Sequence, residues 1–298
     1  MYDAIIVGGG PAGLSAALIL GRCRRRVLVV DAGRQRNLSS AHMHGYLTRD
    51  GIPPSDFLES ARAELAPYDV VLCHNTVKQG RRLDSHFEVK MADGTRHRGR
   101  RLLLATGVAD QLPQVAGIDE FYGKSVHHCP YCDGWENQDK PLAVYGQQRL
   151  GVGLAISLKT WTPDVVLCTD GPARLPAKDR ERLKRHGIPI RKEKIARLEG
   201  ANGQLRRIVF EKGDPLERAG MFFHTGQDQA SSLARDFHCT FDKKGAIETD
   251  RLEHTCVDGL YVAGDASRDV QLVVVAAAEG AKAAFAINCS LQDEENRI

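Results

Sequence analysis

Asp3-Ala4-Ile5-Ile6-Val7-Gly8-Gly9-Gly10-Pro11-Ala12-Gly13 opens the chain with a short apolar run that stops at a cluster of glycines. The run reads as a buried parallel strand. Leu14 to Leu20 continues with Ala and Leu and no breaker, as a helix does, and Val27 to Val30 is a second apolar strand that ends in Asp31. Strand, glycine turn, helix, strand and acid in this order make a dinucleotide-binding fingerprint. Gly8 permits the tight turn, Gly10 lets the backbone approach a pyrophosphate, and Gly13 lets the helix pack closely on the sheet. Pro11 and Ala12 begin the helix whose N-terminus the pyrophosphate would cap. Asp31 is placed to accept hydrogen bonds from an adenosine ribose. A tight turn without a ligand is the competing reading, and strand context on both sides weighs against it.

Composition widens the picture. A chain of 298 residues with 42% hydrophobic residues suits two α/β units, each with its own core. A formal net charge of +3 is close to balanced and gives no reason to expect nucleic acid or a membrane as partner. The basic clusters Arg22 to Arg26 and Arg98, Arg100 and Arg101 read as solvated helix ends and loops. No uncharged apolar stretch reaches roughly 18 residues, and Met1 runs straight into a strand, so a cytoplasmic protein is expected. In that compartment eight cysteines predict thiols plus one catalytic pair rather than a disulfide framework. Cys23, Cys73, Cys168, Cys239, Cys256 and Cys289 stand alone and read as core or surface residues.

Two further segments concern the dinucleotide. Leu102-Leu103-Leu104-Ala105-Thr106-Gly107 is another buried strand ending in a small turn, and Gly259-Leu260-Tyr261-Val262-Ala263-Gly264-Asp265 is a strand whose final acid can reach a ribityl chain. Capping of the following helix is the alternative role for Asp265. With the N-terminal fingerprint, these segments resemble the FAD domain of the low-molecular-weight thioredoxin reductase family, across nearly the whole chain. The resemblance implies FAD as cofactor. It also implies that Val270, Gln271 and Leu272 belong to a helix meeting the flavin ring, and that Asn75 to Val77 lie beside the adenine. His42 and His44, in the loop leading to Asp50, would pass near the flavin in such a fold or be ordinary loop histidines.

His127-His128-Cys129-Pro130-Tyr131-Cys132-Asp133-Gly134 carries the redox chemistry. Two thiols separated by two residues can close a small ring, and a helix start lowers a thiol's pKa toward the reactive thiolate. In the family the more C-terminal cysteine is the one beside the flavin. The resemblance therefore implies that Cys132 faces the flavin, that Cys129 exchanges with substrate, and that Asp133 donates or accepts the proton. A helix-capping role for Asp133 stays open, as does the choice for His128 between polarising Cys129 and a surface position. A zinc site of His127, His128, Cys129 and Cys132 is disfavoured, because adjacent ligands cannot easily converge tetrahedrally and no distant half exists; no metal is expected.

The fold expected is α/β, with two Rossmann-like three-layer domains. An FAD domain of residues 1–114 and 243–298 is interrupted by an inserted redox domain of residues 115–242, with hinges near Ala116-Gly117 and Lys244-Gly245. Pro141 to Gly146 starts the inserted domain's own sheet, where the family binds NADPH. The sequence departs from the family here. Gln148 stands where backbone should approach a pyrophosphate, and Cys168-Thr169-Asp170-Gly171 replaces the His-Arg-Arg cluster that grips the 2′-phosphate. NADPH use by the usual contacts is therefore not expected, while Asp170 leaves a ribose contact to NADH open. The function expected is an FAD-dependent thiol/disulfide oxidoreductase acting on a thioredoxin-like protein or a small dithiol or disulfide, fed by an unidentified donor that includes ferredoxin among the options. An oxygen-using dithiol oxidase and a flavin-binding sensor without turnover are the alternatives; the resemblance also implies a homodimer. Leu291 to Ile298 reads as a polar frayed tail.

Overall fold

The computed structural model describes residues 1–268 and 270–296. In chain order the strands are β1 (Tyr2–Val7), β2 (Val27–Asp31), β3 (Val70–His74), β4 (Val77–Arg82), β5 (Phe87–Met91), β6 (Arg96–Leu104), β7 (Val108–Asp110), β8 (Val126–His127) and β9 (Leu142–Tyr145). They continue with β10 (Val165–Cys168), β11 (Ile190–Arg191), β12 (Ile195–Ala201), β13 (Gln204–Phe210), β14 (Leu216–Glu217), β15 (Gly220–Phe223), β16 (Gln227–Gln229) and β17 (Leu260–Val262). The helices are α1 (Pro11–Arg22), α2 (Pro54–Ala63), α3 (Ile118–Phe121), α4 (Pro130–Asp133), α5 (Gln148–Leu158), α6 (Ala177–Arg185), α7 (Leu233–Asp236) and α8 (Val273–Glu295).

Two compact units result. The first holds Met1–Leu38, Gly45–Ala109 and Gln227–Ile298, and the second holds Ser39–His44 and Asp110–Gly226. These bounds differ from the expected ones at three places, at one of which residues 110–114 belong to the second unit. Residues 227–242 pack in the first unit, because Leu233, Ala234, Phe237 and Cys239 fill the sheet face formed by Ile5, Leu28, Leu102 and Leu104. Residues 39–44 go with the second, where the Ser39 carbonyl lies so close to Gly123 that a Cβ there would come within 2.4 Å of it.

In the first unit the parallel strands β3, β2, β1, β6 and β17 form the sheet, extended through the N-terminal half of β6 by the antiparallel β5 and β4. Alternation along each strand sends Ala4, Ile6, Val27, Val29 and Leu103 to one face and Ile5, Val7, Leu28, Val30, Leu102 and Leu104 to the other. Both faces are covered, which is why the parallel strands read as continuous apolar runs. On the first face α1 and α8 pack so closely that a Cβ at Gly280 would lie 2.0 Å from the Ala12 carbonyl oxygen. By composition α8 is long and apolar enough to span a membrane, yet its Ala276, Ala283, Ala284 and Ile287 are buried in this core.

The chain end corrects the expected frayed tail, of which residues 297 and 298 lie outside the described residues. Helix α8 continues to Glu295, with Leu291 fully buried. Glu295 pairs with Arg25 at 2.6 Å and Arg100 at 2.8 Å, and Glu294 pairs with Arg100 and Arg101. On the β4–β6 ribbon, Arg81, Arg96 and Arg98 converge on Glu88, whose side chain is 3% exposed. Of the basic clusters, Arg22, Arg24, Arg26 and Arg98 are exposed as expected, whereas Arg25, Arg100 and Arg101 are largely covered and paired with acids of α8.

The second unit has a parallel sheet in the order β11-β10-β9-β15-β8. Helices α5 and α6 cover one face over Leu142, Val144, Leu167 and Phe222. The antiparallel β12-β13-β14 covers the other over Ala143, Val166, Met221 and Phe223. Three layers are present, with a small sheet in place of the second helical layer.

Candidate active site

The expected nucleotide-binding residues of the first unit converge on the carboxyl ends of its parallel strands, where open α/β sheets bind ligands. Gly8, at φ 114°, turns against the end of β6 so tightly that a Cβ would lie 2.1 Å from the Ala105 carbonyl oxygen. Thr106 and Gly107 follow directly. Gly264 sits beside Ala12, and the preceding Ala263 amide donates to Leu104 at 3.1 Å. Asp31 ends β2, and Val77 begins β4 just after the Asn75 amide donates to the Asp31 carbonyl at 3.0 Å.

Three details depart from the sequence reading. The Asp31 carboxylate accepts from Gln35 Nε2 at 2.8 Å, the Gly33 amide at 3.1 Å and Arg62 at 3.0 Å, so a ribose hydroxyl meets an acid already held in place. Asp265 pairs with Arg36 at 3.1 Å, and Arg36 also donates to Gln271, which exchanges hydrogen bonds with Gln227. Val270, Gln271 and Leu272 precede α8 rather than belonging to it; Leu272 is its N-cap. Arg36, Arg62 and Gln227 escaped sequence reasoning because their partners lie 31 to 235 positions away, and Gln35, four positions from Asp31, belongs to no motif.

The donor set fits FAD. Helix α1 begins at Gly10 without a side-chain cap and without an acid in its first turn, leaving its amides for an anion. A Cβ on Gly10 would meet nothing nearer than Gln35 Cγ at 3.8 Å, so the space over the turn is open. A Cβ on Gly13 would lie 1.9 Å from the Gly8 carbonyl oxygen. Gly13 therefore serves the fold, whereas Gly10 keeps room for a ligand.

In the second unit Cys129 and Cys132 form a disulfide with Cα atoms 5.3 Å apart. Cys129 is the N-cap of α4, and its carbonyl accepts from the Cys132 and Asp133 amides, both at 3.2 Å. Pro130 at the first helical position supplies the fixed φ that starts this turn. Gly134 has to lack a side chain, since a Cβ would lie 2.7 Å from Trp161, and Trp161 in turn packs edge-on against Tyr131 at 5.8 Å. Both cysteines are half-buried, while Tyr131 and Trp135 beside them are exposed. Asp133 Oδ1 lies 3.2 Å from Nδ1 of the buried His127. His128 faces Asp110 at 3.6 Å, and Asp110 accepts from the Tyr122 hydroxyl at 2.6 Å. His44 faces Glu136 at 3.4 Å. The two sulfurs are bonded to each other and His127 is turned to Asp133, so the four side chains of the zinc alternative do not point to one centre.

At the end of β9, Gly146 and Gly151 keep the close crossing of a nucleotide turn, each within 3 Å of a Cβ placed on the other. Gln148 occupies the left-handed region at φ 54°, where a non-glycine residue is strained. Asp170 does not present a free carboxylate: it accepts from the Tyr145 hydroxyl at 3.1 Å and the Ile195 amide at 2.8 Å. Burial and the Asp170 charge push the Tyr145 phenol up to about 12. Thr169 is fully buried, its hydroxyl donating to the Gly171 carbonyl at 2.7 Å.

Comparison with known proteins agrees with this geometry. A family model for pyridine nucleotide-disulphide oxidoreductases matches residues 2–280. The "Probable thioredoxin reductase" of Arthroderma benhamiae is 30% identical over 98% of this chain and 81% of its own length. "Thioredoxin reductase tcpT" of Claviceps purpurea is 37% identical over 89% of this chain and 86% of its own. Among solved structures, "Putative Thioredoxin Reductase TrxB from Bacillus anthracis" superposes with a TM-score of 0.94 at 33% identity, covering 99% of this chain and all of that one. The chain belongs to the pyridine nucleotide-disulphide oxidoreductase family and is a thioredoxin reductase-like, FAD-dependent disulfide oxidoreductase.

Proposed function

We propose that the protein reduces the disulfide of a thioredoxin-like protein through Cys129 and Cys132, using FAD held at the carboxyl ends of the first unit's parallel strands. The closed Cys129–Cys132 disulfide beside Asp133 carries this reading. Gly8, Gly10, Pro11, Ala12 and Gly13 would cradle the pyrophosphate. Asp31 and Val77 would face the adenosine end, and Thr106, Gly107, Gly264, Asp265, Gln271 and Leu272 the flavin end. Bound FAD supplies the chemistry of storing one electron pair. Cys132 would be the sulfur that accepts such a pair, Cys129 the one that attacks the substrate disulfide, and Asp133 the group that manages the proton. Exposed Tyr131 and Trp135 beside the pair supply the large apolar surface that a protein partner needs. The same reading places the enzyme in the cytoplasm as a homodimer, which cell fractionation and sedimentation test.

The electron donor is proposed to be something other than NADPH. Gln148 stands in the pyrophosphate turn at a positive φ, and Asp170, tied to Tyr145 and Ile195, offers no cation to a 2′-phosphate. Each lost charge-assisted hydrogen bond costs about 1.5–3 kcal/mol, so losing several weakens binding by orders of magnitude. Stopped-flow mixing with NADPH, NADH or reduced ferredoxin, followed at the flavin absorbance, tests the donor; fast reduction by micromolar NADPH overturns this part. Anaerobic photoreduction followed by oxidised thioredoxin tests the acceptor. Return of the oxidised flavin spectrum with thioredoxin supports the reductase, return only with air identifies a dithiol oxidase, and no return with either identifies a sensor without turnover.

A further inference from the structure

We infer that His127 is the positioning residue of the dithiol site, holding one oxygen of Asp133 so that the other can take the proton of Cys132. The inference rests on the proposed role of Asp133 and adds a residue to it. His127 lies on β8 with 5% of its surface exposed, and its ring packs on Phe222 at 5.2 Å. Its Nδ1 is 3.2 Å from Asp133 Oδ1. An ionised carboxylate only accepts, so the imidazole proton belongs on Nδ1. Nε2 is then a bare nitrogen, buried and without a hydrogen-bond partner.

Such a nitrogen works against stability, because it loses water and gains no partner. A phenylalanine or leucine at 127 would suit its apolar neighbour Phe222 on β15 with no such cost. What the histidine provides is the contact to Asp133. The backbone of Asp133 is already fixed, its carbonyl accepting from Asn137 at 2.8 Å and its amide donating to Cys129. His127 fixes the remaining freedom, that of the side chain. The other nearby ionisable groups face elsewhere: His128 is toward Asp110 and Tyr122, and His44 is toward Glu136.

In the exchange, the Cys129 thiolate attacks the substrate disulfide, forming a mixed disulfide and releasing one substrate thiolate, which takes a proton from water. Cys132 then attacks Cys129 Sγ while its proton passes to Asp133 Oδ2. The Cys129–Cys132 bond forms, the mixed disulfide breaks, and the second substrate thiolate leaves with the proton from Asp133. The enzyme dithiol loses two electrons and the substrate disulfide gains them. Throughout, the His127 Nδ1–H stays on Asp133 Oδ1.

The test uses the FAD-loaded protein, photoreduced without oxygen and mixed with dithionitrobenzoate, whose two thionitrobenzoate releases report attack and resolution separately. Asp133→Asn slows resolution about a hundredfold, the scale of general base catalysis. His127→Phe slows it about tenfold, the scale of one lost charge-assisted hydrogen bond. His127→Asn places an N–H where Nδ1 was and recovers most of the rate; His127→Gln, whose amide reaches the Nε2 side, does not. Equal rates for the Asn and Gln variants overturn the inference even if the Phe variant fails to fold. A slow Asp133→Asn beside His127 variants with the resolution rate of the unmodified protein overturns the inference alone, while an unaffected Asp133→Asn overturns the role of Asp133 itself.

Discussion

Replacing Gly10 by valine and Gly13 by alanine separates ligand binding from folding at two glycines three residues apart. Gly10 has φ −83° and ψ −173°, extended backbone that valine adopts readily, and its nearest neighbour would be Gln35 Cγ at 3.8 Å. The fold should lose no more than about 1 kcal/mol, the scale of an unfavourable N-cap. The side chain would instead occupy the approach to the α1 amides. Removing two charge-assisted hydrogen bonds at about 1.5–3 kcal/mol each weakens FAD binding by roughly two to four orders of magnitude. At Gly13 the added Cβ lies 1.9 Å from the Gly8 carbonyl oxygen and 3.3 Å from Ile6 Cγ2, so β1 and α1 must move apart. Overpacking of this kind costs about 1–3 kcal/mol or more. Flavin absorbance per protein and thermal unfolding of the flavin-free variants measure the two effects. Gly10→Val should fold normally and be colourless, whereas Gly13→Ala should unfold at lower temperature even without flavin. Stoichiometric flavin in Gly10→Val, or equal instability of both, would refute the reasoning.

Other outcomes follow from the same structure. Cys129→Ser should show a long-wavelength charge-transfer band between a Cys132 thiolate and oxidised flavin, and Cys132→Ser should not; the opposite pattern would reverse the two roles. Acid should unfold the first unit progressively. Hydrogen bonds from Arg98 and Arg96 hold the Glu88 carboxyl down at about 2, and those from Arg25 and Arg100 do the same for Glu295. Their contribution is present above the ordinary carboxylate range near 4.5 and is lost as pH falls from there through about 2. Glu88→Gln should flatten the stability–pH curve in that window, and an unchanged slope by denaturant titration would count against it. Burial pushes the Cys168 thiol up to about 12 and Cys239 up to about 11. Mass spectrometry after brief alkylation at pH 8 should find exposed Cys23 and Cys256 modified and those two intact.

The glycine turn, the paired strands of the first unit and the dithiol were legible because each depends on residues close in sequence. Gly8 to Gly13 and Cys129 to Asp133 are local motifs whose chemistry is set by spacing. The unit boundary at 226/227 was not legible, since only the packing of Leu233 and Phe237 under the sheet shows which core owns that segment. Nor was the fate of the charges: Arg100 and Glu295 meet across the fold, and a charge run read alone looks solvated. Asp170 illustrates the same limit, because its partners Tyr145 and Ile195 lie on other strands. The one residue whose importance the sequence masked most is His127, which differs from His128 only in the direction that a two-residue strand sends it.

The central claim, that FAD and the Cys129–Cys132 pair form one electron-carrying unit, is tested most directly by anaerobic reductive titration of the FAD-loaded protein. The unmodified protein should take up two electron pairs per flavin, one for the flavin and one for the disulfide, and the Cys129→Ser/Cys132→Ser double variant only one. Uptake of a single pair by both proteins would contradict the account.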